Sequence, residues 1–86
     1  MRVSIVDGDP GQIPYAELRN AGNDVRVLLD GVEQNDCTTA DDKYGVIYRY
    51  ARDSAGVLID DGKELVVERV TGRVEIVIFK RSDSAG

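Results

Sequence analysis

Apolar and polar residues along this chain alternate with a period of two, in short runs bounded by Gly, Asp and Asn. That is the pattern of antiparallel strands buried on one face. Val3 and Ile5 alternate with Arg2 and Ser4 and predict a first short strand. "VDGDPGQ" then reads as a loop, in which Gly8 and Gly11 are free to take positive φ and Pro10 restricts its neighbour. One segment reads as helix. In "IPYAELRNAGN", Pro14 suits a first turn, Tyr15 and Leu18 share a face, and Gly22 falls just past the C-terminus. Such a helix has about two turns and needs packing to stand.

"DVRVLLDGVEQNDC" predicts a hairpin, because Asp30-Gly31 lies between apolar runs and both turn residues need positive φ. The register then sets Leu29 opposite Val32 and Val27 opposite Gln34. Val25, Val27 and Leu29 face the core and Arg26 faces water. A further strand runs from about Tyr44 to Arg52, "DSAG" turns, and Asp61-Gly62 reverses "VLIDDGKELVVERV". Thr71-Gly72 reads as a tight loop into "RVEIVIFK", with Leu65 opposite Ile78, Val67 opposite Ile76 and Arg69 opposite Val74. This register also sets Glu68 against Glu75, a repulsion that calls for a nearby base. Val66, Val77 and Phe79 occupy the other side. A hairpin apolar on both faces is central or lies at an interface. "VLLDGVE" echoes in "VLIDDGKEL", and hairpin turn chemistry accounts for the echo.

The 86 residues make one domain, expected over 1–80, with 81–86 a flexible C-terminal tail. A domain this short buries roughly 60–65% of its unfolded surface, so its stability is marginal without further support. Cys37 is alone and there is no histidine, which leaves oligomerisation as the remaining common aid. Eleven basic residues stand against 16 acidic ones, net −5, with pI near 4.5. That balance argues against a nucleic-acid partner, whose phosphates demand a basic patch. No apolar run approaches the roughly 20 residues of a membrane span. The apolar stretch in "MRVSIVDGDPG" is too short for a secretory signal, and a lone cysteine fits a reducing compartment.

Candidate chemistry is sparse. Cys37 has no histidine to activate it, and Asp36, Asp41 and Asp42 would suppress its thiolate, so it reads as a small hydrophobe on a strand. Asp7 and Asp9 in "DGDPG", and Asp60, Asp61 and Glu64 in "DDGKE", fall short of the about six to eight converging oxygens calcium needs. Turn chemistry explains these aspartates. A paired-carboxylate mechanism needs a deep cleft that a small chain has little volume to build. No phosphate-cradling glycine motif is present, and without histidine there is no Ser-His-Asp arrangement. We therefore assign no catalytic, cofactor-binding or metal-binding residue. Tyr44, Tyr48 and Tyr50 share one strand parity with Val46, while Gly45, Ile47, Arg49 and Ala51 hold the other. Such a stripe is either a core face or a docking face, since Tyr offers rigid area and a hydroxyl tip. The partner-binding candidates are Tyr44, Tyr48, Tyr50, Val77 and Phe79.

"VRVLLDGVE" at Val25 to Glu33, then Cys37, Ala40-Asp41, Gly45 and a hydrophobic strand, resembles small uncharacterised proteins of tailed-phage and prophage morphogenesis regions. The resemblance covers about a third of the chain. It implies a virion or assembly component, located in the host bacterial cytoplasm during assembly or in the particle, with itself and other virion proteins as partners. It carries over no catalytic residue. The expectation is an all-β protein: a small antiparallel β-sandwich or open barrel of six to seven short strands with at most one short helix. Its expected role is non-enzymatic and structural, as a homo-oligomer. The alternative is a small accessory domain that recognises a peptide or sugar through the tyrosine strand.

Overall fold

The computed structural model describes residues 1–81. The flexible tail expected over 81–86 therefore lies, from 82 onward, outside the described residues. In chain order the elements are β1 (Arg2–Ser4), α1 (Gln12–Asn20), β2 (Asn23–Leu29), β3 (Val32–Gln34), β4 (Cys37–Asp41), β5 (Val46–Tyr50), β6 (Val67–Thr71) and β7 (Val74–Lys80). The strands form two antiparallel sheets, ordered β1-β4-β5-β6 and β3-β2-β7. The described residues are thus all-β with one short helix. Among the described residues, no helix is long and apolar enough to cross a membrane.

Residues opposite one another on paired strands share a face. In the first sheet Val3, Ala40, Ile47 and Val70 form one such row. In the second, Val25, Val27 and Leu29 of β2 lie opposite Ile78, Ile76 and Val74 of β7. These rows meet as the core, with Ile47 fully buried and Tyr15 and Leu18 of α1 packed against it. The helix ends where glycine permits. Gly22 takes φ +86°, and the N–H groups of Ala21 and Gly22 donate to the Glu17 and Arg19 carbonyls.

The first hairpin forms in the predicted register, with Leu29 opposite Val32 and Val27 opposite Gln34. Asp30 at φ +50° and Gly31 at φ +84° both occupy the left-handed region. The second does not form. β6 pairs with β5 and β7 pairs with β2, so Thr71-Gly72 carries the chain from one sheet to the other. Leu65 lies opposite Asp60, Val67 opposite Tyr50 and Arg69 opposite Tyr48. The physical reason is that β2 offers β7 a seven-pair register with one matching apolar face, Val25, Val27 and Leu29 against Ile78, Ile76 and Val74. The switch also separates Glu68 from Glu75 and places Glu68 2.8 Å from Arg49. Asp30 pins the corner: its N–H donates to the Arg73 carbonyl and its carboxylate accepts from the Arg73 N–H, each at 2.9 Å.

Two smaller expectations are also corrected. The tyrosine strand begins at Val46, leaving Tyr44 in a turn. Ile5 lies outside β1 and is exposed. The stretch after β3 is a central strand, β4, in which Thr38, Thr39, Ala40 and Asp41 are all buried. The predicted reversal at Asp61-Gly62 is present, since the Asp61 N–H donates to the Glu64 carbonyl and Gly62 takes φ +93°. It caps an arm spanning residues 51–66, folded back by the bridges Arg52–Leu58 and Asp60–Leu65.

Candidate functional site

Two surfaces gather the candidate residues. The first is the outer face of the first sheet. Strand alternation puts Tyr48 and Tyr50 on the face opposite Ile47, so they point away from the inter-sheet core. Of the two alternatives for the stripe, the inter-sheet core is thereby excluded. Both rings are half-buried and line an open cleft of about 580 Å3. The arm supplies Glu64 and Leu65 to one wall, β6 supplies Val67, and Arg2 and Asp9 stand at another.

In the polar part of this cleft Arg2 is paired with Asp9, and Glu64 adds a further carboxylate. The Arg2 guanidinium donates through Nε and Nη2 to both carboxylate oxygens of Asp9, each at 2.8 Å, and through Nη1 to Asp41 at 3.4 Å. The bidentate arrangement is the strong form of such a pair. Hydrogen bonding from Arg2 outweighs burial and, with the Gly11 N–H, holds the Asp9 carboxyl down at about 2. Burial pushes Asp41 up, but the Tyr44 N–H, Arg2 and the Lys43 N–H together bring it below its ordinary value. The Ser4 and Thr39 hydroxyls bond each other at 2.7 Å beneath the cleft. Among the described residues, every buried side-chain nitrogen and oxygen has a partner. What the cleft offers a ligand is aromatic surface with a hydrogen-bonding rim.

Cys37 is half-buried on β4. Burial pushes its thiol up, Arg49 opposes and Asp36 adds. Burial therefore dominates where the sequence pointed to acidic neighbours. Among the described residues, no group of three or more His, Cys, Asp or Glu side chains is placed to hold a metal ion.

The second surface is the far half of β7. Among the described residues it is an edge strand with only β2 beside it. Two hydrogen bonds set the phase of its backbone: Asp30 N–H to the Arg73 carbonyl and Arg81 N–H to the Gly22 carbonyl. Odd-numbered residues of β7 therefore turn their backbone groups to β2, and Ile76, Ile78 and Lys80 turn theirs outward. Val77, Ile78 and Phe79 are 42%, 46% and 37% exposed. Phe79 carries the Arg26 guanidinium 5.3 Å from its ring centroid, a cation–π contact.

The five predicted residues thus divide. Tyr48 and Tyr50 share the cleft, and Val77 and Phe79 share the outer face of β7. Tyr44 stands apart in its turn, 72% exposed beside Lys43. Val66, grouped with Val77 and Phe79 on sequence, lies in the arm and bonds the Ile59 carbonyl. Sequence reasoning missed Arg2, Asp9, Leu65 and Val67 as cleft residues. Only the alternation of Arg2 against Val3 hinted that its side chain faced away from the core. No known family model, curated protein or solved structure matches this chain.

Proposed function

We propose that the chain is a non-enzymatic structural or assembly protein that works through β-surfaces, binding copies of itself. The observation that carries this reading is the open edge of β7, exposed and apolar over Val77, Ile78 and Phe79. An unprotected apolar edge is a template for pairing with another chain. A particle component is the setting that the phage-morphogenesis resemblance suggests, with the host cytoplasm or the virion as its place and other virion proteins as further partners. Sedimentation equilibrium at micromolar concentration tests the reading. The expected mass is that of a dimer, the commonest closed assembly, and Phe79→Asp should return it to a monomer. A monomeric wild type that tolerates Phe79→Asp would remove the reading.

The cleft favours a second reading, an accessory domain that holds a peptide or sugar against Tyr48 and Tyr50. Titration with short oligosaccharides and extended peptides, read by NMR, should then shift the Tyr48 and Tyr50 signals ahead of Tyr44.

A further inference from the structure

We infer that two copies pair β7 with β7 in antiparallel register about a two-fold axis at Ile78, merging two three-stranded sheets into one of six. This rests on the homo-oligomer reading above and names its contact. Ile76, Ile78 and Lys80 hold the outward backbone groups, so they must form the hydrogen-bonded pairs of any added strand. With the axis at Ile78, Ile78 meets the partner's Ile78, and Ile76 meets the partner's Lys80. Each of these pairs is of the hydrogen-bonded kind. Between them, Val77 lies opposite the partner's Phe79, and beyond them Glu75 lies opposite the partner's Arg81. Two-fold symmetry repeats each unlike pair. Ile78, Val77 and Phe79 are covered by apolar positions, Ile76 lies against the aliphatic stem of Lys80, and the carboxylates at the rim meet guanidinium groups.

Neighbouring registers fit worse. An axis at Val77 sets Glu75 against the partner's Phe79 and Arg73 against the partner's Arg81, a like-charge pair. An axis at Phe79 sets Val77 against the partner's Arg81. An axis at Ile76 drives the partner past Val74, only 6% exposed, into the corner at Gly72. The local partners of the two charges leave them available. Glu75 has a loose contact to Arg73 at 3.4 Å, both side chains well exposed. Arg81 gives one guanidinium nitrogen to the Arg19 carbonyl at 2.7 Å and keeps further donors.

The test uses the full chain in a Cys37→Ser background. Hydrogen-bonded cross-strand Cα atoms lie about 5.5 Å apart, within disulfide reach, whereas diagonal neighbours lie at about 7–8 Å. Mild oxidation should therefore cross-link Ile78→Cys into a covalent dimer and leave Val77→Cys largely uncross-linked. Separately, Glu75→Arg should raise the dimer dissociation constant by roughly tenfold through two rim pairs, and adding Arg81→Glu should restore it. Cross-linking together with restoration supports the register. Failure of either arm in a protein that still sediments as a dimer overturns this register and leaves the homo-oligomer reading standing. A monomeric wild type overturns both.

Discussion

Gly31 and Gly45 both take positive φ, at +84° and +64°, yet they carry different loads. A Cβ on Gly31 would meet only the Arg73 guanidinium, at 3.9 Å. A Cβ on Gly45 would stand 2.5 Å from the Gly72 carbonyl oxygen, at the contact where the Gly72 N–H donates back to the Gly45 carbonyl. Gly31→Val should lower stability by more than about 1 kcal/mol, because a β-branched residue resists positive φ. Gly45→Ala should lower it further, through strain plus a backbone clash, despite its smaller side chain. Thermal melts of the two variants give the comparison, and an unshifted melt for Gly45→Ala would refute the close approach. Gly31 was legible because Asp-Gly between apolar runs is a local code. Gly45 reads as part of a strand in the sequence, since its constraint comes from Gly72 and has no local mark.

At the scale of elements, what was legible follows sequence separation. The β2–β3 hairpin and α1 rest on neighbours a few residues apart, and both form as read. The strand β4 is marked in the sequence only at Cys37, because "CTTAD" has little hydrophobic alternation. Its buried Thr39 and Asp41 are accommodated by Ser4 and Arg2, remote in sequence. The β6–β7 connection was misread for the opposite reason, since Thr71-Gly72 resembles a hairpin loop but serves as a corner. The same distance effect hid half of the cleft. Tyr48 and Tyr50 stood out as a stripe, whereas Leu65 arrives on an arm that no periodicity announced. Paired cysteines separate the two topologies. In a Cys37→Ser background, Arg49→Cys with Glu68→Cys should oxidise to an intrachain disulfide, because these positions are directly opposite. Glu68→Cys with Glu75→Cys should not. Mass spectrometry after non-reducing digestion reads the outcome, and the reverse result would restore the hairpin.

Across the whole molecule, acid is the condition to which the charge arrangement points. The folded protein holds Asp9 at about 2 against an ordinary 3.8, and it holds Asp41, Asp36 and Asp61 below their ordinary values as well. A carboxyl whose folded pKa is depressed contributes stability that is complete above its unfolded value and is lost as pH falls toward the folded one. Stability should therefore stay level from neutral pH to about pH 5 and then decline toward pH 2. Asp9→Asn should lower stability at neutral pH, with the two curves converging as the pH approaches 2. Denaturant titrations at stepped pH show this, and a constant gap between the curves would exclude the Arg2–Asp9 pair as the source. The passage of the chain from one sheet to the other at Gly72 bears also on how the protein is made. β2 finds its long partner only in Val74–Lys80, with Asn23 opposite Lys80. Before that stretch emerges from the ribosome, β2 has only the three residues of β3 beside it, and Val25, Val27 and Leu29 lack half their cover. Local helix and hairpin can flicker during synthesis, but commitment waits for β7, so folding is limited by contacts of long sequence separation.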